Sequence, residues 1–394
     1  MTREDIKNEI ISLKGSNWLL ELATGTGKSK LALDKLQSIY NKNKKSLLIV
    51  VPRNIHKKNW EDEINKWWKN CPLEITFTTY VSFPKHIGKW DYAIFDECHH
   101  LSDRCREALC DFNIKHSILL SATVSNSLKD ELKEVFTELC FYSKSLREVI
   151  DNNILPDPKV YLLPLKLDTI DRDEMIWHNK NAKKTLVICN WEDRWKHIKQ
   201  KNYPVKIKCT QRQYLSDLNN KIEYWKKRYM RSKSDIAKNK WLRLCSDRLN
   251  WLSDKKLSCV MNILYTLKNH RTLTFCNNIE HTELLGKHCI NSKNKNSIST
   301  IDKFNRGIIN HITACNMLNE GMNLVNCQIG IYANLNSSET IIKQRTGRLL
   351  RHKNPIIIIP YFENSRDEEL VEKMLENYNP ELIITINSVY EIKI

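Results

Sequence analysis

Short apolar runs alternate with amphipathic stretches through residues 1–140. Asn17–Ala23, Ser46–Pro52, Ile75–Tyr80, Asp91–Glu97 and Ser117–Thr123 are aliphatic or β-branched and bounded by Gly, Pro or Asn, so they read as strands. Lys30–Tyr40 and Asn59–Trp68 lie between them and carry helical patterning. Strands alternating with helices predict a parallel sheet covered on both faces. The same rhythm returns in Arg271–Asn277, His311–Met317, Cys327–Asn334 and Asn354–Phe362. The expected fold class is therefore α/β, with two such lobes separated by a stretch of different character.

That stretch begins with Asn152–Pro164, whose three prolines suggest a linker or crossover. From Gln211 to Lys256 the chain has neither proline nor glycine. Leu218, Ile222, Trp225 and Tyr229 recur at i, i+4, i+7 and i+11, and Leu242, Cys245, Leu249 and Leu252 form a second such stripe. A polar stretch at Arg231–Asp235 marks the turn between two antiparallel helices. The expected organisation is a first lobe over 1–150, a crossover with the start of the second lobe over 151–210, a basic helical hairpin over 211–256 and a second lobe over 257–394.

Composition adds a direction. Lys and Arg number 63 against 46 Asp and Glu in 394 residues, a formal charge of +17 that favours a polyanionic partner. Residues 191–256 hold about 19 basic against about 7 acidic residues, so most of the surplus falls on the hairpin and its approach. No apolar stretch nears the ~20 residues that span a bilayer. The amino terminus lacks the pattern of a secretory signal. No membrane partner is expected, and thirteen cysteines without Cys-x-x-Cys spacing suggest free thiols in a reducing, cytoplasmic setting, which would be a host cytoplasm for a phage-encoded chain. Cys98, His99, His100 and Cys105 are close in sequence without forming a recognisable zinc pattern.

Ala23-Thr24-Gly25-Thr26-Gly27-Lys28-Ser29 follows a strand and opens a helix, the setting of a phosphate-binding loop. Its glycines let backbone N–H groups turn inward around a phosphate, and the helix adds its positive end. Thr24, Gly25, Thr26, Gly27, Lys28 and Ser29 are thus candidate ATP contacts, with Lys28 on the β/γ-phosphates and Ser29 on Mg²⁺. The full pattern has Gly or Ala where Leu22 stands. About 70 residues on, a strand ends in Asp96-Glu97-Cys98-His99. Asp96 suits Mg²⁺ and Glu97 suits the attacking water. Strand alternation would put the two carboxylates on opposite faces, so one of them must belong to the loop.

Together these residues resemble superfamily 2 helicases. Asp96-Glu97-Cys98-His99 resembles their DExH box and Leu120-Ser121-Ala122-Thr123 their Ser-Ala-Thr motif. Ile49-Val50-Val51-Pro52 with Trp60, and Thr79-Tyr80, resemble first-lobe segments that touch nucleic acid, which implicates Pro52, Arg53 and Thr79. Gln344-Arg345-Thr346-Gly347-Arg348-Leu349-Leu350-Arg351 resembles the Gln-x-x-Gly-Arg-x-x-Arg motif. Thr272-Leu273-Thr274-Phe275-Cys276 resembles the strand that opens the second lobe's motif series. Asn319-Glu320-Gly321-Met322-Asn323-Leu324 is similar to the motif before the arginines and adds Gly321 to the nucleotide contacts. Val160–Pro164 and Thr210–Tyr214 resemble the start of the second lobe in chromatin-remodelling, phage-type and type III restriction-like translocases.

The resemblance implies two tandem RecA-like lobes with parallel sheets plus the basic helical insertion, ATP and Mg²⁺ as cofactors, and a nucleic-acid track. DNA is favoured over RNA and a monomer is expected. A guanidinium supplied by the second lobe meets γ-phosphate charge with a planar fork and makes hydrolysis depend on lobe closure. Arg351 is the arginine finger on this reading, with Gln344 and Arg348 lining the same face. Arg3 is a candidate for the family's adenine-binding arginine, with no Gln in its usual place, and Asn323 stands where an Asp is common. In the hairpin, Lys226, Lys227, Arg228 and Arg231 are candidate phosphate contacts. Trp225, Tyr229, Trp241 and Trp251 either stack on bases or form the hairpin's own core. Three functions stay open: a helicase or translocase, a duplex-DNA translocase that does not separate strands, and a non-hydrolysing scaffold of the same fold.

Overall fold

A computed structural model describes residues 1–170, 172–177, 187–198, 205–315, 324–325, 327–336 and 338–394. The first lobe holds strands β1 (Asn17–Leu22), β2 (Ser46–Val51), β3 (Glu74–Thr79), β4 (Lys89–Phe95), β5 (Asn113–Ser121) and β6 (Leu139–Lys144). Its helices are α1 (Arg3–Ser12), α2 (Lys28–Ile39), α3 (Ile55–Trp67), α4 (Asp103–Leu109), α5 (Asn126–Val135) and α6 (Leu146–Asp151). The strands form one wholly parallel sheet in the order β3-β2-β4-β5-β1-β6.

Both faces of this sheet are buried. Trp18, Leu20, Leu47, Ile49 and Ile94 pack on one side with α1, α2 and α3, while Leu19, Leu48, Val50, Ala93 and Phe95 pack on the other with α4 and α5. Two covered faces explain why the inner strands β1, β2 and β4 read as apolar runs rather than as alternation, while the edge strands β3 and β6 stay mixed.

The chain next enters a second sheet through β7 (Lys159–Leu165). The expectation of a linker or crossover over Asn152–Pro164 is corrected for 159–164, because β7 pairs with two strands of that sheet. Pro164 is tolerated because it lies past the end of the second pairing, which covers only Val160–Leu162. A small three-stranded sheet follows, from β8 (Asp173–Trp177), β9 (Val187–Cys189) and β10 (Val205–Cys209), with α7 (Arg194–Ile198) beside it.

Then come the paired helices α8 (Gln211–Ser232) and α9 (Asp235–Thr266). Thr210 opens α8 with a capping box closed by Gln213, and Lys233 at φ 49° ends it. The turn falls within the polar stretch read from the sequence. Tyr229 stacks on Trp241, Tyr214 meets Trp251, and Trp225 lies beneath Arg228 and Lys240, so these aromatics build the hairpin's own core. Leu242, expected on the inner stripe, is exposed, and the neighbouring Trp241 takes the inward place.

The second lobe completes its sheet with β11 (Thr272–Phe275), β12 (Cys289–Ile290), β13 (His311–Ala314), β14 (Ile329–Tyr332), β15 (Ile356–Phe362) and β16 (Ile383–Thr385). Their order is β12-β13-β11-β14-β15-β7-β16, again all parallel. Helices α10 (Ile279–Leu285), α11 (Ser297–Asn305), α12 (Glu339–Leu349) and α13 (Arg366–Leu375) complete it.

Helix α9 continues unbroken past Lys256, and its Val260 and Ile263 join the lobe's core with Ile329, Ile331, Ile356 and Ile358. Lys256 forms a fully buried ion pair with Asp367 of α13 at 2.8 Å. The hairpin is thereby a continuation of the lobe's own core helix. Two parallel-sheet α/β lobes match the tandem RecA-like expectation. All thirteen cysteines are free thiols, and no metal-holding group of His, Cys, Asp and Glu occurs among the described residues. No helix of the described residues is long and apolar enough to cross a membrane.

Candidate active site between the lobes

The loop from Ala23 to Gly27 leaves the end of β1. Gly25 and Gly27 take φ of 97° and 92°, a region open to glycine and strained for other residues. The Thr26 hydroxyl donates to the Ala23 carbonyl at 2.8 Å and closes the loop on itself. No side chain caps α2, so its first amides remain available to a ligand. Space for a Cβ at Gly27 is open on every side within 4 Å, and the buried Thr24 hydroxyl has no hydrogen-bond partner. A cradle with room around Gly27, an uncapped helix end and an orphaned hydroxyl fit a phosphate group. Leu22, the departure from the full pattern, is the last residue of β1 and lies wholly in the core.

Strand β4 stops at Phe95, and Glu97 turns to φ 49°. That left-handed residue resolves the alternation problem, because the turn brings both carboxylates to the same cleft. Lys28 Nζ lies 2.9 Å from Glu97 Oε1. Asp96 Oδ2 accepts from Trp60 Nε1 at 2.9 Å, and the Asp96 carbonyl accepts from the Tyr80 hydroxyl at 2.7 Å. Burial pushes the Asp96 carboxyl up to about 6, the Glu97 charge adds to this, and Trp60 and Lys28 oppose it. His99 Nδ1 lies 3.1 Å from the Ser121 hydroxyl and 3.5 Å from Glu97 Oε2, joining the DExH-like box to the Ser-Ala-Thr-like segment.

The second lobe meets this loop through α12. Gly330 in β14 is what lets α12 sit so close to the sheet, since a Cβ there would stand 2.1 Å from Leu349 Cδ1. At the other lobe's surface, a Cβ on Gly347 would come within 2.4 Å of Thr24 Cβ and 2.8 Å of its carbonyl. Arg348, on α12, and Arg351, just past its end, face a cleft of about 400 Å³ that Thr24, Gly25, Gly27, Lys28, Ser29, Asp96 and Glu97 also line. The cleft walls push the Arg351 guanidinium down from its ordinary value, with the Glu63 carboxylate opposing. Gln344 is buried and its Nε2 has no hydrogen-bond partner. Arg345 is buried as well, donating to the Asn334 carbonyl at 3.2 Å with its guanidinium 5.2 Å from the Phe275 ring centre.

The structure thus brings Thr24, Gly25, Gly27, Lys28, Ser29, Asp96, Glu97, Arg348 and Arg351 together, with Thr26 inside the same loop. Pro52, Arg53 and Thr79 follow or end the adjacent strands β2 and β3, on the same edge of the sheet as the cleft. Lys226, Lys227, Arg228 and Arg231 lie exposed on the distal half of α8 and do not line the cleft. Gly321 and Asn323 lie outside the described residues. Arg3 does not line the cleft and donates to the Ile154 carbonyl at 3.3 Å. The far wall, formed by His56, Asn59, Trp60, Asp62 and Glu63 of α3, was not anticipated. Helical patterning located α3 without saying which of its polar residues face inward.

Two family models match the chain. One, the res subunit of type III restriction enzymes, covers residues 3–126, and the other, the helicase conserved C-terminal domain, covers 255–353. No curated protein sequence matches it. Among solved structures, the helicase domain of Hef from Pyrococcus furiosus is similar over 94% of this chain and 97% of that one, at 14% identity and a TM-score of 0.53. Dbp5 from S. cerevisiae, bound to RNA and ADP BeF3, is similar over 98% and 89%, at 11% identity and 0.55. LlaBIII, an ATP-dependent type ISP restriction-modification enzyme bound to DNA, is similar over 99% of this chain and 31% of its own length, at 12% identity and 0.55. At these identities the likeness speaks for the fold, while the two family models span more than half of the sequence. The chain belongs to the superfamily 2 helicases, in their type III restriction-like branch.

Proposed function

We propose that this chain hydrolyses ATP with Mg²⁺ and uses the cycle to move along or unwind nucleic acid, with DNA preferred to RNA. The observation that carries the reading is the shared cleft, where Lys28 and Glu97 of one lobe face Arg348 and Arg351 of the other. Lys28 would leave Glu97 to meet the β- and γ-phosphates, freeing Glu97 to polarise the attacking water. Ser29 and Asp96 would hold Mg²⁺, Asp96 through the ion's water shell. When bound, the ion neutralises charge on the β- and γ-oxygens. Arg351 would stabilise the transferring group, with Arg348 completing that wall and Gln344 acting from one turn earlier on α12, behind the cleft lining.

Pro52, Arg53 and Thr79 would contact the track beside the cleft, and Lys226, Lys227, Arg228 and Arg231 would hold phosphates farther out. The formal charge of +17 supports a nucleic-acid track of either kind, the likeness to DNA-bound LlaBIII supports DNA, and the likeness to RNA-bound Dbp5 keeps RNA in the test.

Phosphate release from ATP, measured with duplex DNA, single-stranded DNA and RNA in turn, tests the reading. Release is expected to rise with nucleic acid, and Glu97→Gln is expected to lower it by about 10²–10⁴-fold while ATP still binds. A parent chain that releases no phosphate with any of the three refutes it. A forked-duplex assay beside a triplex-displacement assay then separates strand parting from duplex tracking.

A further inference from the structure

The sequence pairs Trp60 with a segment expected to touch nucleic acid, yet its indole points inward. Trp60 is 2% exposed and donates to Asp96 Oδ2, while Tyr80, 5% exposed, donates to the Asp96 carbonyl. Asp96 is therefore gripped by two aromatic donors from two different elements. Each donor continues from a proposed track contact. Helix α3, which carries Trp60, begins just after Pro52 and Arg53, and Tyr80 directly follows Thr79 at the end of β3.

A buried indole N–H or phenol O–H needs an acceptor, and here both use the same residue. A donor on Oδ2 fixes the rotation of the carboxylate, and so the direction in which Oδ1 is offered. The bond to the carbonyl fixes the peptide between Asp96 and Glu97, the peptide that leads into the left-handed turn. The pair thus orients both carboxylates of the site, Trp60 from the cleft's far wall and Tyr80 from behind the Asp96 peptide.

We propose that Trp60 and Tyr80 are positioning residues linking nucleic-acid contact at Pro52, Arg53 and Thr79 to the setting of Asp96, so that an arriving track tightens the hold on Mg²⁺. The inference rests on the function proposed above. Outer partners of metal-holding carboxylates commonly matter by about 10–100-fold in metal affinity.

Trp60→Phe and Tyr80→Phe each delete one donor and keep a buried ring. The readout is ADP binding titrated against Mg²⁺, with and without a duplex DNA oligonucleotide, beside DNA affinity and thermal melting. In the parent, DNA is expected to lower the Mg²⁺ concentration at half-saturation. In the double variant that concentration rises about ten-fold and no longer responds to DNA, although DNA affinity is unchanged. Parental Mg²⁺ dependence with a parental DNA response in the double variant overturns the inference. If the double variant does not fold, Tyr80→Phe alone, which loses a single hydroxyl, is titrated in the same way, and parental behaviour there overturns the inference equally. A parent that binds Mg²⁺ and ADP without answering to DNA overturns the link. One that binds no Mg²⁺-dependent ADP fails the proposed function itself.

Discussion

Gly347 of the second lobe lies against Thr24 of the first so closely that a single methyl group at 347 would overlap the Thr24 Cβ and carbonyl. Those atoms belong to the loop's main chain and stem, which cannot swing away as the tip of a long side chain can. Gly347→Ala is therefore expected to hold the lobes apart and lower ATP turnover by about a hundred-fold. The contact joins the lobes rather than building either core, so thermal melting should move little. Steady-state phosphate release beside a melting curve checks both, and near-parental turnover would mean the lobes meet differently during hydrolysis.

Arg351 reaches the cleft from just past the end of α12, opposite Lys28. Arg351→Ala is expected to lower kcat for ATP by about 10³-fold, the usual scale for an arginine finger, with ADP affinity near parental. Arg351→Lys should recover little, because an ammonium cannot reproduce the planar fork. A kcat loss below about ten-fold would assign the role to Arg348 instead.

Lys226, Lys227, Arg228 and Arg231 stand exposed near the tip of the hairpin. Lys227 pairs loosely with Glu223 at 3.7 Å, and Arg228 lies over Trp225 at 5.0 Å. Replacing all four by Gln should weaken DNA binding and flatten the plot of log affinity against log salt by about one unit for each phosphate no longer neutralised. Fluorescence anisotropy across a salt series measures the slope. An unchanged slope would remove the hairpin from the track.

Two histidines make stability depend on pH. Burial pushes His311 down to about 4 with His288 adding to it, and burial lowers His116, beside which Lys44 Nζ lies at 2.7 Å. Both are held neutral in the fold, so their contribution is complete above the unfolded value near 6.5 and is lost as pH falls. For His311 the window runs from about 6.5 down to about 4. Asp96, pushed up to about 6, acts in the opposite sense. Comparing urea midpoints of the parent and His311→Gln between pH 7 and pH 4.5 cancels every other group. The parent should lose more stability than the variant over that range, and parallel curves would contradict the assignment.

Much of the site is legible in the sequence because its chemistry is local. Gly25, Gly27 and Lys28 form one loop, and Asp96 and Glu97 are adjacent, so their backbone needs and charges show in a few letters. The apolar runs of β1, β2, β4 and β15 are equally plain, since strands covered on both faces carry little else. Strand β7 is half legible: Val160–Pro164 resembles the start of a second lobe, while Pro156, Pro158 and Pro164 signal a break locally, and its place beside β15 and β16 is what makes Pro164 harmless. The three-stranded sheet leaves no clear pattern because its strands are only three to five residues long. Leu242 reads as inward because periodicity locates a stripe without deciding which neighbour, here Trp241, faces the partner helix.

Taken alone, the order of residues determined the two α/β lobes, the glycine loop before Lys28, the paired carboxylates and the arginine motif, because each depends on neighbours within a few positions. Tertiary structure decided what lies across from what: Gly347 on Thr24, Arg351 opposite Lys28, and Trp60 with Tyr80 on Asp96. Those relations join residues between 16 and more than 300 positions apart. Distance in space is set by how sheets stack helices and how lobes dock, which no local pattern encodes.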